Sequence, residues 1–274
     1  MSDTIDQSFV DQFESDVHMA YQRMGSKLRN TVRNKNNIRG QSTTMQKIGK
    51  GTAGTKSRHG QVPVMNLDHT PVKITLEDHY AGEYIDRLDE LKINHDEKMV
   101  ASDSIAGAMG RKTDSIIVTE MDAATANQTA TTGAVTLAKI EEIFEHMGDN
   151  DVPDDGQRFL GVSPQGWTDL LGLTQFASTD YVPESELPYK GAGMTAKKWN
   201  SFFVFMFSGF SKTSNVRTSM AWHKTAIGHA SGAELNLDVT WQGKEQANLA
   251  VGSLSQGAKV IDATGVYQLR HTES

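Results

Sequence analysis

The chain reads as an α+β protein with a long basic segment near its N-terminus. Strand-like alternation at Val72, Ile74 and Leu76 precedes two helical periods and a strand-rich last fifth, with no regular βαβ winding. Between Asp16 and Asp68 there is no acidic residue and there are ten basic ones. The 274 residues are 37% hydrophobic, which supplies a core outside that segment.

Taken in order, residues 4–29 carry one apolar stripe, Ile5, Phe9, Phe13, Val17, Tyr21, Met24 and Leu28, at helical spacing. Acidic residues open this segment and Arg23, Lys27 and Arg29 close it, which suits a helix dipole. A polar basic linker follows, so the stripe is expected to dock on a partner or a neighbouring copy. Residues 30–68 are poor in apolar side chains. Gly49, Gly51, Gly54 and Gly60 mark a flexible tip, and Thr43–Ile48 with Gln61–Met65 read as the strands of a long hairpin. Helices are expected over 96–122 and 136–147, the second stopping at Gly148. Gly148–Gly156 is an acidic turn and a domain junction. Arg158–Val162 reads as a buried strand, and Ser163-Pro164 as a capped helix start. A further strand lies within Trp199–Phe210. Leu235, Leu237, Val239 and Trp241 then alternate, with strands again at Lys259–Ile261 and Val266–Leu269.

Charge divides the molecule. The whole chain carries −7; without the ten basic residues the remainder holds 17 Lys+Arg against 34 Asp+Glu, or −17. A basic arm on an acidic body binds polyanions or the acidic body of another copy. Aromatic residues are lacking from Gln22 to Leu67, which removes the stacking platforms of single-strand binders and leaves sequence-independent phosphate or protein contacts. The longest apolar run, Phe202–Phe207, falls far short of the ~20 residues of a membrane span. With no secretory leader pattern either, a soluble chain made in a cytoplasm is expected.

The motif-like stretches fail on chemistry. With no cysteine, thiolate nucleophiles, disulfides and cysteine zinc sites are excluded. Gly49–Ser57 resembles a phosphate loop, but Thr55 separates Gly54 from Lys56 and no apolar strand or helix flanks it. Asp149, Asp151, Asp154 and Asp155 suggest calcium, yet Pro153 and Leu160 stand where ligands are required. The nine histidines form no metal-ligand spacing, and Gly161–Gly166 misses the nucleophile-elbow spacing by one residue. Asp86, Asp89, Glu90, Asp96 and Glu97 read as a charged helix face. No catalytic, metal or cofactor site emerges.

The order of elements and several local words together carry a resemblance. They are Val72 through Lys92, Gly110-Arg111-Lys112-Thr113-Asp114, Arg158 through Pro164, Lys224 through Ala230, Gly257 through Asp262, and Gly265-Val266-Tyr267. Over residues 1–271 the chain resembles the major capsid proteins of tailed double-stranded-DNA bacteriophages, with the Hong Kong ninety-seven type fold. The resemblance implies an N-terminal arm at 1–40 and an extended loop at 41–69. It implies a peripheral domain at 70–151 with a spine helix at 96–122, an axial domain at 152–255, and return strands of the peripheral domain at 256–274. It further implies self-assembly through hexamers and pentamers into an icosahedral shell around double-stranded DNA, in a virion assembled in the host bacterial cytoplasm.

On this reading Lys47, Lys50, Lys56 and Arg58 make inter-subunit contacts from the extended loop. Arg23, Lys27, Arg29, Arg33, Lys35 and Arg39 face DNA through non-specific phosphate contacts. About thirty residues precede the basic linker, too few for an internal scaffold, so a separate scaffolding protein or unaided assembly is expected. A portal is a further partner, and a decoration protein is left open. Two rivals stand beside this reading: a cellular nanocompartment shell of the same fold, and a basic-armed, sequence-independent nucleic-acid-binding oligomer.

Overall fold

The structure is a computed structural model that describes residues 25–90, 97–124, 126–177 and 196–273. The expected helix over 4–29 lies outside the described residues up to position 24. Its last part is not helical. Gly25 sits at φ +69°, and a single 3-10 turn spans Arg29–Thr31. Helical hydrogen bonding is replaced here by the carboxylate of Asp114, which accepts from the backbone N–H groups of Lys27 and Leu28.

Strand β1 (Arg33–Lys35) is followed by β2 (Ser42–Ile48), β3 (His69–Thr75) and β4 (Glu77–Asp86). β2 pairs antiparallel with β3, from Ser42 opposite Thr75 to Ile48 opposite His69. The hairpin therefore closes later than its sequence suggests. Gln61–Met65 forms no strand and belongs to the connection 49–68. Burial decides the partner. Pairing with β3 sends Met45 and Ile74 into a small core with Ala230 and Ile261, whereas Val62 and Val64 would find no such core, and Pro63 between them lacks an N–H to donate.

A short helix α1 (Arg87–Glu90) precedes α2 (Glu97–Ala123), and α3 spans Leu137–Asp149. β5 (Arg158–Val162) leads into α4 (Pro164–Leu171). Ser163 caps α4 as expected, its Oγ accepting the Gly166 N–H at 3.1 Å. Then follow α5 (Thr174–Ala177), β6 (Ala196–Trp199), β7 (Phe202–Met206), β8 (Lys212–Thr213) and β9 (Val216–His223). Two long strands, β10 (Ile227–Gln242) and β11 (Ala247–Val260), form a hairpin, and β12 (Val266–Thr272) closes the fold.

The chain groups into two compact units. The smaller contains Asp78–Arg111 and Leu235–Leu254. Its sheet runs in the order β10, β11, β4. Ile85, Ala101, Ile105 and Ala250 form its core, with Ala81 packed against them. Gly252 permits this packing, because a Cβ there would stand 2.4 Å from Ile105 Cγ2.

The larger unit contains Ser26–Glu77, Lys112–Glu234 and the residues from Ser255 onward. Its six-stranded sheet runs β12-β9-β5-β7-β6, with β8 on β9. Alternation along β9 and β12 splits the core between the two faces. Met220, Trp222 and Val266 pack with Leu28, Val32, Ile117 and Met121. Ala221, Tyr267 and Leu269 pack with Ile140, Ile143 and Met147 of α3.

Residues 235–254 group with 78–111 in the smaller unit. The closing strand β12 joins the β5 sheet through β9, so the return of 256–274 to the other sheet ends at Val260. Alternation shows that a segment is a strand; it does not say beside which strand it lies.

Candidate functional site

The basic segment is tethered, not free. Leu28 and Val32 are fully buried in the larger unit's core. β1 pairs in parallel with the start of β10, Arg33 opposite Gly228 and Lys35 opposite Ala230. The tether is completed by Asp114, itself buried, which accepts from Ser26 Oγ at 2.6 Å and from the Leu28 N–H at 3.0 Å. Trp222 Nε1 also donates to the Thr31 carbonyl at 3.0 Å. The basic side chains ride on this tether. Lys27, Arg33, Lys35 and Arg39 are exposed, Arg29 is half-buried, and Arg23 lies outside the described residues. Lys35 Nζ donates to Thr43 Oγ1 at 2.7 Å.

The loop cations fall into two pairs. At the base, Lys47 meets Asp262 at 2.8 Å and Lys50 meets Asp151 at 2.6 Å. Burial pushes the Asp262 carboxyl up, but Lys47 and two hydrogen bonds from Thr264 outweigh it and hold the group below the usual carboxylate range. The hydrogen bond from Lys50 likewise holds Asp151 low. A cleft of about 440 Å³ lies between these contacts, lined by Lys47, Lys50, Asp151, His223 and Asp262. Toward the tip, Lys56 and Arg58 are exposed. The structure thus brings Lys47 and Lys50 onto their own chain and leaves Lys56 and Arg58 facing outward.

The apolar character of the loop was not part of the expected site. Val62 and Val64 are 70% and 83% exposed, and Met65 is half exposed. Their signal lies in the sequence as valines two apart beside a glycine-rich tip.

The acidic turn does not gather a metal site. Asp151 holds Lys50, Asp154 accepts from Ser201 Oγ at 2.8 Å, and Asp155 meets His223 Nε2 at 3.1 Å. Among the described residues no group of three His, Asp or Glu converges on one point.

One cluster has the composition of a hydrolytic triad. Ser163 Oγ lies 3.0 Å from His271 Nε2, and Glu273 Oε1 lies 3.4 Å from that same nitrogen. A relay requires the hydroxyl on one ring nitrogen and the carboxylate on the other. Here both meet Nε2, Ser163 Oγ is already accepting the Gly166 N–H, and Ser163 and His271 are fully buried. Arg217 holds the other Glu273 oxygen at 3.0 Å. The cluster locks β12 onto β9 and the α4 cap; no substrate reaches it.

The loop and the tethered basic segment carry the exposed cations singled out in the sequence. Solved structures share this fold. The capsid of cyanophage P-SCSP1u is similar at TM-score 0.72 and 16% identity, covering 97% of this chain and 94% of its own. A protein of Mycobacterium phage Che8 is similar at TM-score 0.73 and 15% identity, covering 96% and 97%. The capsid of Ralstonia phage GP4 is similar at TM-score 0.75 and 10% identity, covering 99% and 97%. The curated proteins contain no significant match. The family model for phage capsid protein matches residues 5–273, and the chain belongs to that family. It is a shell-forming major capsid protein with a phage capsid fold.

Proposed function

We propose that the chain assembles through hexamers and pentamers into an icosahedral shell around double-stranded DNA, and that its role is structural and non-catalytic. The observation that carries this reading is the loop 49–68, which exposes both its apolar and its distal basic residues and has no core of its own. Such a segment acquires a stable surface only on a neighbour.

In this reading residues 1–40 are the arm and 41–69 the extended loop. α2 is the spine helix, packed with the long hairpin β10–β11 in the peripheral role, and the sheet centred on β5 takes the axial role. Lys56 and Arg58 contact an acidic neighbour, while Lys47 and Lys50 set the loop's angle from its base. Arg23, Lys27, Arg29, Arg33, Lys35 and Arg39 meet packaged DNA by phosphate charge alone. A separate scaffolding protein and a portal are the further partners, and the particle is assembled in a bacterial host's cytoplasm.

Negative-stain electron microscopy of the protein expressed alone, beside size-exclusion chromatography, tests this. Closed shells or rings of five and six are expected. Monomers that bind DNA tightly at low salt and release it at high salt would instead favour a nucleic-acid-binding oligomer.

A further inference from the structure

A cleft of about 370 Å³ in the larger unit is lined by neither the loop nor the basic segment. Three elements build it, each by its own period. Lys73 and Thr75 lie two apart on one face of β3, and Lys112 and Ser115 lie three apart on one face of α2. Gln256 to Lys259 of β11 complete the lining. Charge in the cleft is unbalanced. Three lysines stand against Glu77 and Glu120. Lys259 and Glu120 neutralise each other at 3.0 Å. Among the described residues neither Lys73 nor Lys112 has an ion-pair or hydrogen-bond partner, so two ammonium groups line the cleft opposed by Glu77 alone.

The lining adds a donor that the fold leaves unused. Gln256 is 1% exposed. Its Oε1 is engaged by Thr113 Oγ1 at 2.9 Å and by His229 Nε2 at 3.2 Å, while its Nε2 is buried with no partner among the described residues. A buried amide N–H without an acceptor is a standing loss of stability, and an oxyanion in the cleft supplies the acceptor. The hydroxyls of Thr75 and Ser115 line the same cleft and rotate to donate. We infer that this cleft binds a phosphate group, held by the ammonium groups of Lys73 and Lys112 and by the Gln256 amide. Donors arriving from a strand, a helix and a second strand suit a tetrahedral oxyanion, which accepts in several directions; a planar carboxylate meets fewer of them. The phosphate is a backbone group of duplex DNA or a free phosphate, and both present the same oxygens. Because the site lies on the folded body, it is separate from the phosphate contacts assigned to the basic segment and does not depend on shell assembly.

Inorganic phosphate is the first probe, on the unassembled chain. The melting point should rise by about 3 °C or more as phosphate goes from zero to about 20 mM, compared with chloride and acetate at equal ionic strength. Lys73→Gln with Lys112→Gln alters two exposed side chains, so its melting point in chloride should match the parent while the phosphate response is lost. Lys73→Arg with Lys112→Arg keeps both charges and should keep the response. A short DNA duplex then separates the two sources. If duplex DNA supplies the phosphate, the glutamine pair lowers the slope of log K against log salt by about 2. If the source is free phosphate, that slope is unchanged and only the phosphate response disappears. No phosphate response in the parent, or an equal rise in acetate, would overturn the inference. So would a response that the glutamine pair retains, since that is a general salt effect on stability and not a site.

Discussion

Ser26 and Asp114 stand 88 positions apart, and the serine hydroxyl donates to the carboxylate at 2.6 Å. Through this contact and the backbone N–H groups of Lys27 and Leu28, one side chain in the middle of α2 fixes where the N-terminal segment leaves the body. The basic residues that follow are positioned by that tether.

Replacing Asp114 should therefore release the segment. Asp114→Ala removes the acceptor of three donors and strands the buried Leu28 N–H, a loss of about 1–3 kcal/mol in chemical denaturation. Asp114→Asn keeps one acceptor and should lose less. Trypsin should cut after Lys27 and Arg29 faster in the variant than in the parent. Unchanged stability and unchanged cleavage would show that Leu28 and Val32 hold the segment without it.

Acid should weaken the fold in two stages. Burial lowers the pKa of His271 below 6.5, opposed by Glu273, and burial likewise lowers that of His229. A histidine whose folded pKa is depressed leaves the unfolded chain binding protons first, so stability is full above about pH 6.5 and falls as pH drops below it. Glu273 and Asp262 are also held low, against burial, by Arg217 and Lys47 among others, so their contribution disappears as pH falls below the ordinary carboxylate range. Denaturation midpoints of the unassembled protein should decline from pH 7 to pH 5 and more steeply below pH 4. His229→Gln should flatten the first stage; an unaltered slope would remove His229 from the account.

What the sequence made legible follows from range. Periodicity located α2 and α3 within two residues, and Ser163-Pro164 announced the α4 cap, because these signals lie within a few positions of one another. The hairpin partner was misread because Val62 with Val64 and Val72 with Ile74 offer the same local pattern, and only the core around Met45, Ala230 and Ile261 separates them. Sheet membership of β10 and β12 was hidden for the same reason. Asp114 gave no signal, since its donors lie more than 80 positions away. In the loop, exposure of Val62 and Val64 has no local signal, since two alternating valines read equally well as one face of a buried strand.

Lys139 offers a test of a buried cation used for structure. Its side chain is largely buried, and the ammonium donates to the carbonyls of Thr132, Gly133 and Arg270 at 3.0, 3.4 and 2.8 Å. These bonds fasten the turn before α3 to β12. Lys139→Met keeps the length and the apolar stem but abandons three carbonyl acceptors, two of them on exposed residues that water can reach, so a loss of about 1–2 kcal/mol is expected. That corresponds to a melting point lower by roughly 2–6 °C. A methionine variant as stable as the parent would mean that water replaces the ammonium.

Charge reversal separates the two halves of the loop. Lys56→Glu with Arg58→Glu alters two exposed side chains, so folding stability should stay within about 0.5 kcal/mol of the parent. Assembly should fail at low salt, because two new carboxylates then face an acidic neighbour. Raising ionic strength to about 0.5 M should restore part of the shell yield, since the screening length falls well below 10 Å. Lys47→Glu with Lys50→Glu acts differently, placing glutamates beside Asp262 and Asp151 of the same chain. Repulsion there opens the loop's base, so protease sensitivity near Gly49 and Gly51 should rise in the monomer before any shell forms. Normal shells at low salt from the Lys56/Arg58 variant would leave those two cations without the inter-subunit role assigned to them.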